Sequence, residues 1–151
     1  MSQPIATDAA SKRLAAIERS REIMQEHKQL RNDLRLAKTE YVSNIGEAYN
    51  HYVWLREYSH VSTPDGLHLI SEAEKMIRRG LGFAIRAKNM IPTLAAKLAA
   101  FDKAYPFRRN IVYVDESPEE ALDAQYHAAE RLYAENSDFR GYKDLRLYSK
   151  A

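Results

Sequence analysis

The chain has no cysteine, and glycine and proline are scarce, five of each in 151 residues. Without cysteine there can be no disulfide framework, thiolate metal site, redox dithiol or cysteine nucleophile. With so few glycines and prolines, and 45% apolar and 29% charged residues, the composition is that of an ordered helical chain and not of a disordered, collagenous or turn-rich one. No run approaches the ~18 apolar residues of a membrane span, and residues 1–8 lack the basic-then-apolar order of a secretory signal. A cytoplasmic protein, or a component of a virion, is the expectation, with no membrane partner.

What is present is helical periodicity. From Thr7 or Asp8, either a good N-cap, to Ser59 there is no proline and only one glycine, Gly46. The spacing predicts a single helix over 8–59, on the order of 75 Å long. Such a helix is longer than a domain of this size is wide, so part of it must project or pack along a partner. Ile23, Leu30, Leu34, Ala37, Tyr41, Ile45, Ala48, Tyr52 and Leu55 fall within about 40° of one line and form its buried face. Leu14, Ile17 and Met24 lie on a rotated line, which assigns the first turns a different neighbour. Around Tyr49, Val53, Trp54 and Tyr58 the helix is apolar nearly all round, as a helix buried on all sides would be. Trp54 and Tyr58, one turn apart and off the main stripe, are leading interface anchors; the competing reading is that a helix of the same chain covers them.

Thr63-Pro64-Asp65 supplies an N-cap, a first-turn proline and an early acid. The second helix is expected over 63–90, with Leu69, Ile70, Ala73, Met76, Ile77, Gly80, Leu81, Ala84 and Ala87 on one face and Lys75, Arg78, Arg79 and Arg86 on the other. Gly80, mid-stripe, invites close approach of a bulky neighbour, for which Tyr41 or Tyr52 is the expectation. Pro92 disfavours helical geometry at Ile91 and predicts a break or kink there, followed by a short third helix over 93–104. Ile111 to Val114 read as an extended connector, being too few to build a sheet. Ser117-Pro118-Glu119-Glu120 is a capping box that starts a fourth helix over 117–136. Residues 137–151, with Phe139, Tyr142 and Tyr148 among basic residues, read as an arm that docks on something.

The net charge of +2 conceals a segmental asymmetry: +1 over residues 1–60, +5 over 61–110 and −4 over 111–151. The basic face of the second helix, continued by Lys88, Lys97, Lys103, Arg108 and Arg109, could meet the phosphates of a nucleic acid without reading sequence. No helix-turn-helix with a recognition helix accompanies it. A solvated face, or one neutralised by Asp115, Glu116, Glu119, Glu120, Asp123 and Glu130, is the favoured reading, and exposed pairs of that kind set register more than stability.

Chemistry-bearing patterns are sparse. Glu57-Tyr58-Ser59-His60 matches one Glu-x-x-His of a helical di-iron site, but the second such motif is absent. Gly80-Leu81-Gly82-Phe83 lacks the third glycine, the strand and the βαβ context of a dinucleotide loop. The reading is a non-enzyme with no cofactor or metal. The expected fold is all-α: a helical bundle with one long N-terminal helix, three shorter helices and an extended C-terminal arm, the helical domain covering 1–136 and the arm 137–151. The expected function is structural, as an assembly or adaptor subunit acting by helix-mediated homo-oligomerisation or docking into a larger complex such as a viral particle. Its interface candidates are Trp54, Tyr58, Tyr49, Phe139, Tyr142 and Tyr148. The alternative is a nucleic-acid-associated accessory protein using Lys75, Arg78, Arg79, Arg86, Arg108 and Arg109.

Overall fold

A computed structural model describes residues 4–58, 60–108 and 119–144 of the chain. Among these the structure is helical and contains no strand. Helix α1 spans Pro4–Tyr58, α2 Pro64–Ala104, α3 Glu119–Glu135 and α4 Ser137–Gly141, with single 3-10 turns at Pro106–Arg108 and Tyr142–Asp144. The first helix has 55 residues, about 82 Å at 1.5 Å per residue. It begins at Pro4, ahead of the expected cap, because proline is compatible with a helix's first turn, where its missing N–H is not needed.

The start of α2 follows its sequence signal. Thr63 is the N-cap, and its hydroxyl accepts the Gly66 backbone N–H at 3.1 Å. The expected break at Pro92 does not occur: α2 runs through it for 41 residues, so the expected second and third helices are one. Proline removes one intrahelical hydrogen bond and crowds the carbonyl four residues back, but contacts beyond it hold the helix in line. Phe101 is buried, its ring stacked on His27 at 5.0 Å and 7°, and Asp102 Oδ1 lies 3.2 Å from His27 Nε2. Continuous packing against α1 outweighs a local preference worth about 3 kcal/mol.

Helices α1 and α2 form an antiparallel hairpin, shown by the contacts of Ala48 with Gly80, His27 with Phe101 and Arg19 with Tyr105. In that register α2 ends near residue 22 of α1, so the turns before it project beyond the hairpin. Residues 8–22 are exposed throughout, Leu14 and Ile17 included. The α1 stripe packs as its periodicity predicts: Ala37, Tyr41, Ile45, Ala48, Tyr52 and Leu55 are buried and Ile23, Leu30 and Leu34 half-buried.

Helix α3 lies along one side of the hairpin, parallel to α1. Asp123 meets Lys38 of α1 at 3.1 Å, Glu130 meets Lys88 of α2 at 3.2 Å, and the Tyr126 ring sits 5.2 Å from that of Tyr41. Asp123 thus pairs with Lys38 of α1, and Glu130 with Lys88 of the expected basic stripe, while among the described residues neither acid pairs with Arg78, Arg79 or Arg86. Residues 137–144, expected as the beginning of an extended arm, are instead helical and folded back. Phe139 is fully buried, 5.3 Å from the Tyr49 ring and 5.4 Å from the Tyr52 ring, and Tyr142 stands edge-on to Tyr52. The hydrophobic surface of this segment is satisfied within the chain.

Candidate functional site

One side of the α1/α2 hairpin is filled by α3 and α4; the other is open. On α1, Asn44 and His51 lie more than about 120° around the axis from Lys38 and Tyr49, which face α3 and α4. On this open side the seam forms a continuous shallow groove in two sections. One section, about 170 Å³, is lined by Asn44, Glu47, His51, Met76, Arg79 and Phe83. The next, about 320 Å³, is bounded by His51, Trp54, Leu69, Glu72 and Met76. Gly80 forms the floor, where the helices come closest: a Cβ there would lie 2.9 Å from Ala48 Cβ and 3.2 Å from the Asn44 carbonyl oxygen. The neighbours of Gly80 are therefore the Ala48 methyl and the Asn44 carbonyl of α1, and neither Tyr41 nor Tyr52.

Along this groove α2 exposes Leu69, Met76, Phe83 and Met90, each between 37% and 54% accessible. Leu69 and Met76 belong to the expected core stripe, but they sit at its edge. The width of that stripe exceeds what α1 and α3 cover, so the margin away from α3 stays in solvent. Trp54 and Tyr58 stand at the end of the same groove, their rings 5.1 Å apart, with Trp54 half-buried and Tyr58 exposed. The helix is thus not enclosed on all sides at this point, and α2 covers only part of Trp54. The other aromatic candidates lie elsewhere: Tyr49, Phe139 and Tyr142 pack together on the α4 side, and Tyr148 lies outside the described residues.

The basic candidates divide. Lys75 is within 3.4 Å of Glu72, and the Arg86 guanidinium lies over the Phe83 ring at 5.7 Å. Arg78, Arg79 and Arg86 form no ion pair among the described residues, and Arg79 borders the groove. The backbone of Arg108 closes the turn after α2, whereas its side chain and all of Arg109 fall outside the described residues, as do Asp115 and Glu116.

His27 is a buried polar residue that periodicity could have revealed, since it falls between Ile23 and Leu30 on the α1 stripe. Its approach to Asp102 is a close contact without hydrogen-bond geometry at that oxygen, which is buried and otherwise unpaired. Asp102 is the lone acid between Lys75 and Arg109. The pair ties the last turns of α2 to α1 and has no third ligand-type residue: among the described residues no three His, Asp or Glu converge as metal ligands would.

Where α3 meets the hairpin, burial raises the phenol of Tyr41 above its ordinary 10.0, helped by Tyr126 and Glu130, and its hydroxyl has no hydrogen-bond partner. Burial likewise raises Tyr126, with Glu130, and Tyr142, with Glu74. An unfolded chain loses these protons near pH 10 while the folded chain keeps them, so stability is fully present below that pH and falls as pH rises beyond it. Alkaline titration should therefore show loss of helicity coinciding with a cooperative rise in tyrosinate absorbance, and Tyr41→Phe should move the transition to higher pH.

Fold and groove together define an all-α bundle of three long helices and a short fourth, with an open apolar groove along one side of the α1/α2 seam, and among the described residues no helix is long and apolar enough to cross a membrane. No protein family, characterised protein or solved structure matches the chain.

Proposed function

We propose that the protein is a non-catalytic structural or adaptor subunit that works by helix-mediated assembly. The observation that carries this reading is the exposed row Leu69, Met76, Phe83 and Met90, whose first three members line or flank the open groove between α1 and α2. A helix face with large apolar side chains at regular spacing is a surface for another helix. The projecting turns of α1, with Leu14 and Ile17 in solvent, add a second exposed apolar surface. Light scattering behind size exclusion, at low and high salt and with nucleic-acid absorbance recorded, should find a nucleic-acid-free oligomer. A monomer at both salts overturns self-assembly.

The alternative, an accessory protein on nucleic acid, is favoured by one observation: Arg78, Arg79 and Arg86 have no ion pair among the described residues. Co-elution of nucleic acid that high salt removes would put it first.

A further inference from the structure

The open face of α2 carries two parallel lines of residues, each with a seven-residue repeat. One is the apolar row Leu69, Met76, Phe83 and Met90; beside it runs Asp65, Glu72, Arg79 and Arg86. All eight are exposed. Together they make the three-four spacing of a coiled-coil seam, in which the second line has two acids in its N-terminal half and two arginines in its C-terminal half. That order is self-complementary for a helix running the opposite way, and it is not complementary for a parallel one.

We propose that this face pairs with the same face of a second copy of the chain, antiparallel, about a two-fold axis beside Met76. This rests on the assembly reading above and specifies its surface, partner and register. With the axis there, Leu69 packs against Phe83 of the second copy, and Met76 meets its own equivalent. Glu72 stands opposite Arg79 of the second copy, Asp65 opposite its Arg86, and two-fold symmetry repeats each contact. A register with the axis midway between Met76 and Phe83 brings Arg79 against Arg79, so like-charge repulsion selects between the two.

The surrounding structure fits this occupant. In the isolated chain Arg79 and Arg86 have no acid to pair with among the described residues, and Arg86 already lies over Phe83 within the seam. Only the local contact of Glu72 with Lys75 competes. The second copy's α2 would enter the groove bounded by His51 and Trp54, forming a four-helix core from two hairpins. The apolar row supplies the affinity; the charges, exposed at the rim, fix direction and register.

The test is charge reversal in the full chain, read by sedimentation or light scattering across a concentration series, with circular dichroism to check that each variant stays helical. The wild type should dimerise. Glu72→Arg and Arg79→Glu should each weaken the dimer about a hundredfold, because one substitution creates two like-charge contacts across the axis. The double variant Glu72→Arg/Arg79→Glu should recover most of that loss, since the pair is restored with its signs exchanged. Met76→Glu, at an exposed position on the axis, should abolish the dimer with helicity unchanged. Emission of Trp54, the only tryptophan, should shift to the blue as the dimer forms. An oligomer indifferent to these changes, or a double variant no better than the singles, overturns the pairing while leaving assembly through another surface in place. A wild-type monomer overturns both. Dimer formation only when a foreign acidic helix or nucleic acid is added would assign the face to that partner instead.

Discussion

Replacing Phe139 by alanine is expected to destabilise the protein by about 3–5 kcal/mol, the range for deleting a fully buried aromatic ring. Phe139 is completely inaccessible, wedged against Tyr49 and Tyr52. Because α4 has only five residues, it cannot persist by its own helical propensity, and Phe139 is its one buried side chain. Removing the ring should therefore release residues 137–144 as well as leave a cavity, exposing Tyr49 and Tyr52 together. Against a total stability of about 5–15 kcal/mol for a domain, that is a large share. Urea unfolding should show the lower midpoint, and near-ultraviolet circular dichroism should lose the tyrosine signal while most helicity remains. Loss below about 1 kcal/mol would mean that the segment does not dock where Phe139 places it.

Two glycines two residues apart in α2 should respond to alanine with opposite signs. Alanine is favoured over glycine in a helix interior by about 1 kcal/mol. At Gly82 nothing lies within 4 Å of the added methyl, so Gly82→Ala should realise most of that gain. At Gly80 the methyl would sit 2.9 Å from Ala48 Cβ and 3.2 Å from the Asn44 carbonyl oxygen, and neither is the end of a flexible side chain. The helices would have to separate, and overpacking of this kind costs about 1–3 kcal/mol, enough to reverse the sign. Ala48→Gly in the Gly80→Ala background removes the closer of the two contacts and should restore part of the loss. Thermal melting of the three variants beside the wild type checks the whole set, and stabilisation by Gly80→Ala alone would show that α1 and α2 do not meet at Gly80.

Much of the fold was legible because helical periodicity is local and cumulative. Tyr41, Ile45, Ala48, Tyr52 and Leu55 repeat on one line, and any helix containing them must bury that line. Thr63-Pro64-Asp65 marked the start of α2 for an equally local reason, since the cap, the first-turn proline and the early acid act within one turn. The same locality misled at Pro92. A proline's preference is read from its neighbours, whereas the helix continues because His27 and Phe101, 74 residues apart in sequence, stack face to face. His27 itself lay on the legible stripe, but a histidine in that position reads as an apolar-face exception until Asp102 and Phe101 are seen beside it.

The candidate face was half legible. Trp54 and Tyr58 could be named from their place off the main stripe, and Leu69 and Met76 could be assigned only to a core, because a stripe's edge is apolar whether or not a neighbour covers it. The sequence by itself determined that α1 is one long helix, that α2 starts after Thr63, which line α1 buries and that the first helix is too long for one bundle. All four follow from patterns along the chain. Only the tertiary structure decided that α3 and residues 137–144 occupy one side of the hairpin and leave the other open. That choice depends on how Lys38, Lys88, Tyr49 and Tyr52 from separate helices converge on Asp123, Glu130 and Phe139. Such convergence is a property of distances in space, which no periodicity along the chain encodes.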